Sequence, residues 1–256
     1  MSSLTERLTK RQKRIARQNG EEVDNRVSFK SPNFRLNRIR PKTENQQRTF
    51  DAYRSGKHLL LTGTAGTGKT FLSLYLGTVD IFEQDTEYKK MVIVRSVVPT
   101  RDMGFLPGNQ TEKAKVYEAP YYAIFSELFQ RGDAYDLLKQ KGAVQFMSTS
   151  FVRGITLRDC IVVIDEIQNM TASELHSVFT RVGENCKVLM AGDLKQNDLN
   201  GKREMSGFAD FIRIINKMKS FECIEFNRDD IVRSDLVKDY IITREILEDQ
   251  RIIERL

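Results

Sequence analysis

The chain has 256 residues, 40% of them hydrophobic and 30% charged, with a formal net charge of +6. This length suits one globular α/β domain with a basic extension and leaves no room for two full motor domains in tandem. There is no 18-residue apolar stretch and no signal-peptide pattern, which argues against a membrane partner and leads us to expect a soluble, cytoplasmic protein.

The positive charge is concentrated at the start. The first 40 residues hold 11 Lys/Arg against 4 Asp/Glu, and the rest of the chain is close to neutral. Such a segment suits either nucleic-acid phosphates or a solubilising tail. Weak periodicity predicts flexibility over 1–30 with a helix over 4–18. The domain organisation expected is a basic, flexible segment over 1–36 and one structured domain over 37–256.

A helix is predicted over Thr43 to Arg54, with Thr43 as its cap. The apolar run His58–Thr62 predicts a strand, and Lys69–Phe82 predicts a helix. Between them stands Gly63-Thr64-Ala65-Gly66-Thr67-Gly68-Lys69-Thr70. This is the G-x-x-x-x-G-K-T phosphate-binding loop in the strand–loop–helix context that it requires. Glycines let successive backbone N–H groups point inward at phosphate oxygens. The helix starting near Gly68 adds the positive end of its dipole. Lys69 is expected to reach the β- and γ-phosphates, and the Thr70 hydroxyl to ligate Mg²⁺.

Further strands are predicted over Met91–Arg95, Ala143–Met147, Cys160–Asp165, Lys187–Ala191 and Glu222–Phe226. Further helices are predicted over Tyr121–Arg131, Ala134–Gln140, Ala172–Val182, Gly207–Met218 and Ser234–Arg255. Short apolar strands between amphipathic helices predict a mostly parallel sheet covered on both faces. The strand Ile161–Ile164 ends in Asp165-Glu166. At the C-terminal end of a parallel strand these acids would stand beside the phosphate loop. Asp165 is the candidate support for Mg²⁺ and Glu166 the candidate base for the attacking water. Gly192-Asp193-Leu194-Lys195-Gln196 follows another apolar run, and Gln196 could read the γ-phosphate and relay its loss. The three cysteines, Cys160, Cys186 and Cys223, show no metal-ligand spacing, and buried free thiols are expected.

With these pieces in place, the chain resembles the PhoH family of P-loop ATPases, related to superfamily-one helicases, from about Arg40 to about Tyr240. The segment Pro41 to Gln46 looks like the family's adenine-contacting glutamine segment. Gly104-Phe105-Leu106-Pro107-Gly108 is identical to its hallmark; Glu112-Lys113 follows, and Tyr117, Pro120 and Tyr122 have its Y-x-x-P-x-Y spacing. Arg153 to Leu157, Asp165 to Asn169, Thr180-Arg181, Gly192 to Gln196 and Asp230 to Arg233 also match family segments. Ile155, Ile167 and Ala123 depart from residues often found there; the phosphate loop and Asp165-Glu166 are intact.

The resemblance implies a three-layer, RecA-like P-loop NTPase core with a parallel sheet and helices on both faces. It implies ATP and Mg²⁺ as cofactors and ATP hydrolysis linked to RNA or single-stranded DNA, as in helicases. It implies adenine contact by Gln46, and it makes Arg233 a candidate arginine finger. Arg95 could contact nucleic-acid phosphate or form an internal salt bridge, and residues 104–108 could serve packing or nucleic acid. With one core domain, the finger would come from a neighbour in a homo-oligomeric ring, a hexamer being one closed form. A phosphotransferase acting on a small molecule is the alternative reading.

Overall fold

The computed structural model describes residues 34–82, 86–97, 110–193, 202–250 and 252, with the backbone alone for 110–115 and 202–206. The expected helix over 4–18, the 104–108 turn and Gln196 lie outside the described residues, as do the side chains of Glu112 and Lys113.

The elements run in alternation. Helix α1 (Glu44–Arg54) leads to β1 (His58–Gly63), α2 (Lys69–Phe82) and β2 (Lys90–Arg95). Helices α3 (Gln110–Phe129) and α4 (Ala134–Gln140) precede β3 (Val144–Ser148) and the short α5 (Thr149–Val152). Strand β4 (Cys160–Ile164), α6 (Ala172–Phe179), β5 (Cys186–Ala191), α7 (Lys202–Lys217), β6 (Phe221–Phe226) and α8 (Asp235–Asp249) complete the domain. All six expected strands form. They make one sheet in the order β3-β2-β4-β5-β1-β6, parallel throughout.

Alternation along each strand sends neighbouring side chains to opposite faces. Leu59, Leu61, Ile93, Ile161 and Val163 join Phe50, Leu72, Leu74, Tyr121 and Phe125 in one core. Leu60, Val92, Val94, Val162 and Ile164 join Leu175, Val178, Phe208 and Phe211 in the other. Helices α1 to α4 therefore cover one face and α5 to α7 the other, which is the three-layer P-loop NTPase fold. Phe34, the first described residue, stacks on Phe129 with ring centroids 4.4 Å apart.

Helix ends move from their expected places: α7 starts at Lys202, not Gly207, α8 ends at Asp249, not Arg255, and α3 and α6 differ as follows. Helix α3 starts at Gln110, not Tyr121, because it runs through Pro120. Proline looks like a helix start in sequence, since it lacks the N–H that the first turn leaves unpaired. Here the deprived carbonyl belongs to Val116, an exposed residue. Helix α6 ends at Phe179, short of Val182; it opens on a capping box in which Thr171 and Glu174 bond each other's backbone. Among the described residues, no helix is long and apolar enough to cross a membrane.

Candidate nucleotide site

Strand β1 delivers the phosphate loop to the C-terminal edge of the sheet. Gly63, Gly66 and Gly68 take φ of +102°, +74° and +88°, backbone angles in which a side chain is strained. Gly63 is also sterically required, because a Cβ there would lie 2.0 Å from the Phe226 carbonyl oxygen. The Thr64 N–H donates to that same carbonyl at 3.0 Å, so edge strand β6 holds the loop in place. The Lys69 ammonium donates to the carbonyls of Gly63 and Thr64, each at 2.7 Å. The Thr67 hydroxyl closes the loop on Thr64 O at 2.9 Å.

Strand β4 delivers Asp165 and Glu166 beside this loop. The Thr70 hydroxyl donates to Asp165 Oδ1 at 2.6 Å. A hydroxyl and a carboxylate meeting in this way form part of the hard-oxygen donor set that Mg²⁺ takes. Among the described residues no group of three or more His, Cys, Asp or Glu could hold a metal. Mg²⁺ uses one or two protein carboxylates together with substrate phosphates. The residues present therefore fit the ion.

Glu166 sits at φ +53° in the left-handed region, which is uncommon for a residue with a side chain. Burial, and then the neighbouring Asp165, raise its carboxyl above the ordinary carboxylate range. Gln168 binds it, donating Nε2 to Glu166 Oε2, while Gln168 Oε1 accepts the Asp193 N–H at 3.0 Å. One buried amide thus joins the end of β4 to the end of β5. Gly192 leaves room for it, since a Cβ there would fall 2.5 Å from Gln168 Oε1. In the sequence Gln168 is one residue of the run Asp165 to Asn169. Its role depends on Asp193, 25 residues away.

Arg95 ends β2 beside these acids. Burial opposes its charge, but Tyr121, Asp165 and Glu166 outweigh that effect and hold the guanidinium firmly protonated.

These groups line one cleft of about 560 Å³. Its floor is the phosphate loop with Lys69 and Thr70. Asp165, Glu166, Gln168 and Asp193 form one wall. Ile39, Arg40, Lys42 and Gln46 close another side with Pro120, Ala123, Ile124 and Glu127 of α3, and Val232 and Arg233 complete the rim. The Gln46 amide is tied at both ends: Oε1 accepts the Lys42 N–H at 2.9 Å and Nε2 donates to Thr67 O at 3.1 Å. Each end keeps a second bonding position, so the side chain braces the phosphate loop while it faces the cleft. Arg233 lies over its own loop, its Cγ 3.0 Å from where a Cβ on Gly66 would stand, and the Val232 N–H donates to Gly66 O at 3.2 Å. The cysteines are free; Cys160 is buried, whereas Cys186 and Cys223 are only partly so.

A protein-family model described as PhoH-like protein matches residues 38–244. The chain is 32% identical over 204 residues to the PhoH-like protein of Mycobacterium leprae (strain TN), covering 79% of this chain and 57% of that protein. It is 32% identical over 203 residues to Protein PhoH of Escherichia coli (strain K12), covering 77% and 56%. The chain thus spans little more than half the length of these curated relatives. Among solved structures, the large terminase of the thermophilic bacteriophage D6E in complex with ADP is similar at 14% identity and a TM-score of 0.45, over 78% of this chain and 49% of that one. The Pif1 helicase from Bacteroides in complex with ADP-AlF3 and ssDNA is similar at 17% identity and a TM-score of 0.38, over 82% and 49%. A P-loop NTPase fold, an intact phosphate loop facing Asp165-Glu166, and family matches over most of its length place this chain in the PhoH family.

Proposed function

We propose that the chain binds ATP with Mg²⁺, hydrolyses it to ADP and phosphate, and couples this to binding or remodelling of RNA or single-stranded DNA. The observation that carries the reading is the convergence of Lys69, Thr70, Asp165 and Glu166 on one cleft. The loop N–H groups and Lys69 bind the phosphates, and Gln46 contacts adenine while bracing Thr67. Thr70 and Asp165 hold Mg²⁺, which when bound offsets charge on the β- and γ-phosphates. Glu166 orients and deprotonates the attacking water, with Gln168 fixing its direction. Gln196 reads the γ-phosphate.

Nucleic-acid coupling draws support from the exposed run Arg153 to Thr156 and from Phe151 beside it, which is 61% exposed. A guanidinium and an aromatic ring open to solvent suit a phosphate and a stacked base. The test is ATP turnover with and without RNA, single-stranded DNA and duplex. Severalfold stimulation by one single-stranded species is expected, and its complete absence with all of them would sink the coupling. Release of free phosphate is expected, whereas a phosphorylated metabolite would favour the phosphotransferase reading.

Arg233 acts on the transferring phosphoryl group. Its seat over its own Gly66 supports action in cis, so the finger does not require a homo-oligomeric ring. Arg233→Ala is expected to slow single-turnover hydrolysis by roughly 10³-fold or more while changing ATP affinity little. Mixing it with Lys69→Ala should give no rescue. Rescue that fades on dilution would instead place the arginine in trans and restore the case for a ring.

A further inference from the structure

Asp165 is held from two sides, and the second holder belongs to a helix distant in sequence. Thr70 bonds Oδ1 at 2.6 Å, and the Tyr121 hydroxyl of α3 donates to Oδ2 at 2.9 Å across 44 residues. Tyr121 is fully buried and Asp165 is 2% exposed. We propose that Tyr121 is a positioning residue that sets the plane of the Asp165 carboxylate for a divalent cation bound with the nucleotide. The inference rests on the nucleotide reading above.

The terminal torsion of an aspartate is broad, and nothing intrinsic to the side chain fixes it. Two bonds to opposite oxygens do fix it. One of them, from Thr70, comes from a hydroxyl that is itself a cation ligand in the proposed reading. Once the Thr70 oxygen serves a cation, the Tyr121 bond continues to aim Oδ1 at the site.

Tyr121 is well placed for this. Its ring lies 5.9 Å from Phe146 and 6.4 Å from Tyr135, centroid to centroid, so packing restricts its swing. Groups that orient a metal-supporting carboxylate typically affect metal affinity or activity 10- to 100-fold. The neighbours of Tyr121 on α3 (Pro120, Ala123 and Ile124) line the same cleft, so the helix that aims Asp165 also borders the bound nucleotide.

The test is Tyr121→Phe in the full chain, read by binding of a fluorescent ATP analogue as Mg²⁺ is titrated. The Mg²⁺ midpoint is expected to rise about tenfold or more, while binding without Mg²⁺ stays within about twofold of wild type, because the phenol bonds Asp165 and Arg95 rather than the phosphate loop. Mn²⁺, which binds oxygen and nitrogen ligands more tightly than Mg²⁺, should narrow the gap. A tyrosine that only stabilises the core would lower the melting temperature and leave the Mg²⁺ midpoint unmoved, and that result overturns the inference. If Tyr121→Phe gives no cooperative melt, Tyr121→Met removes the same donor with a more adaptable side chain and is read in the same way. Wild-type protein that binds no analogue at any Mg²⁺ concentration would overturn the nucleotide reading itself, so the two failures are distinguishable.

Discussion

Lys69→Ala is expected to abolish ATP hydrolysis and to weaken ATP binding by roughly 10- to 100-fold. The lower bound follows from losing one charge-assisted hydrogen bond, worth about 1.5–3 kcal/mol. Local charge deepens the effect. Burial opposes the ammonium's charge, and Asp193, Glu166, Asp165 and Glu245 support it. Three of those acids, Asp165, Glu166 and Asp193, also line the cleft. Without the lysine, the phosphates of ATP would face carboxylates with no cation on the loop between them. The side chain also bonds Gly63 O and Thr64 O, so some loss of stability is expected, and a melting curve should accompany the binding and turnover measurements. Turnover near the wild-type rate in a folded variant would remove the phosphate-loop assignment.

Glu166→Gln is expected to separate binding from chemistry. The amide keeps the shape of the carboxyl and removes the base, so nucleotide and Mg²⁺ binding should survive while hydrolysis falls by about 10²- to 10⁴-fold. Burial, then Asp165, make the carboxyl hold its proton more tightly than a free glutamate. The Gln168 amide and the left-handed backbone at Glu166 fix its direction. Equilibrium binding of a fluorescent ATP analogue and single-turnover hydrolysis measure the two effects separately. Normal hydrolysis, or loss of nucleotide binding in a folded variant, would take this role from Glu166.

Much of the fold could be read from the chain because its signals are local. Six apolar runs became six strands, and Thr43 caps its helix through the Gln46 N–H. The phosphate loop was legible because glycine is the residue that accepts the positive φ found at Gly63, Gly66 and Gly68. Asp165 and Glu166 were legible because a parallel sheet gathers its strand C-termini on one edge. At Pro120 the boundary moved, because proline suits a helix start, whereas here the helix runs through an exposed proline at the loss of one backbone hydrogen bond.

Other features depended on the sheet order β3-β2-β4-β5-β1-β6, which no short window of sequence encodes. That order sets β4 between β2 and β5, so Arg95 comes to the acids and Gln168 reaches Asp193. The segment after β6 folds back over the loop, which seats Arg233 against Gly66 of its own chain. Both ends of the Gln46 amide are engaged by Lys42 and Thr67, and the oxygens of Asp165 are shared between Thr70 and Tyr121. The sequence by itself determined which groups are present and which strand end carries each. The tertiary structure decided which of them touch, because hydrogen bonds across 21 to 95 residues are set by how layers pack and not by the residues between.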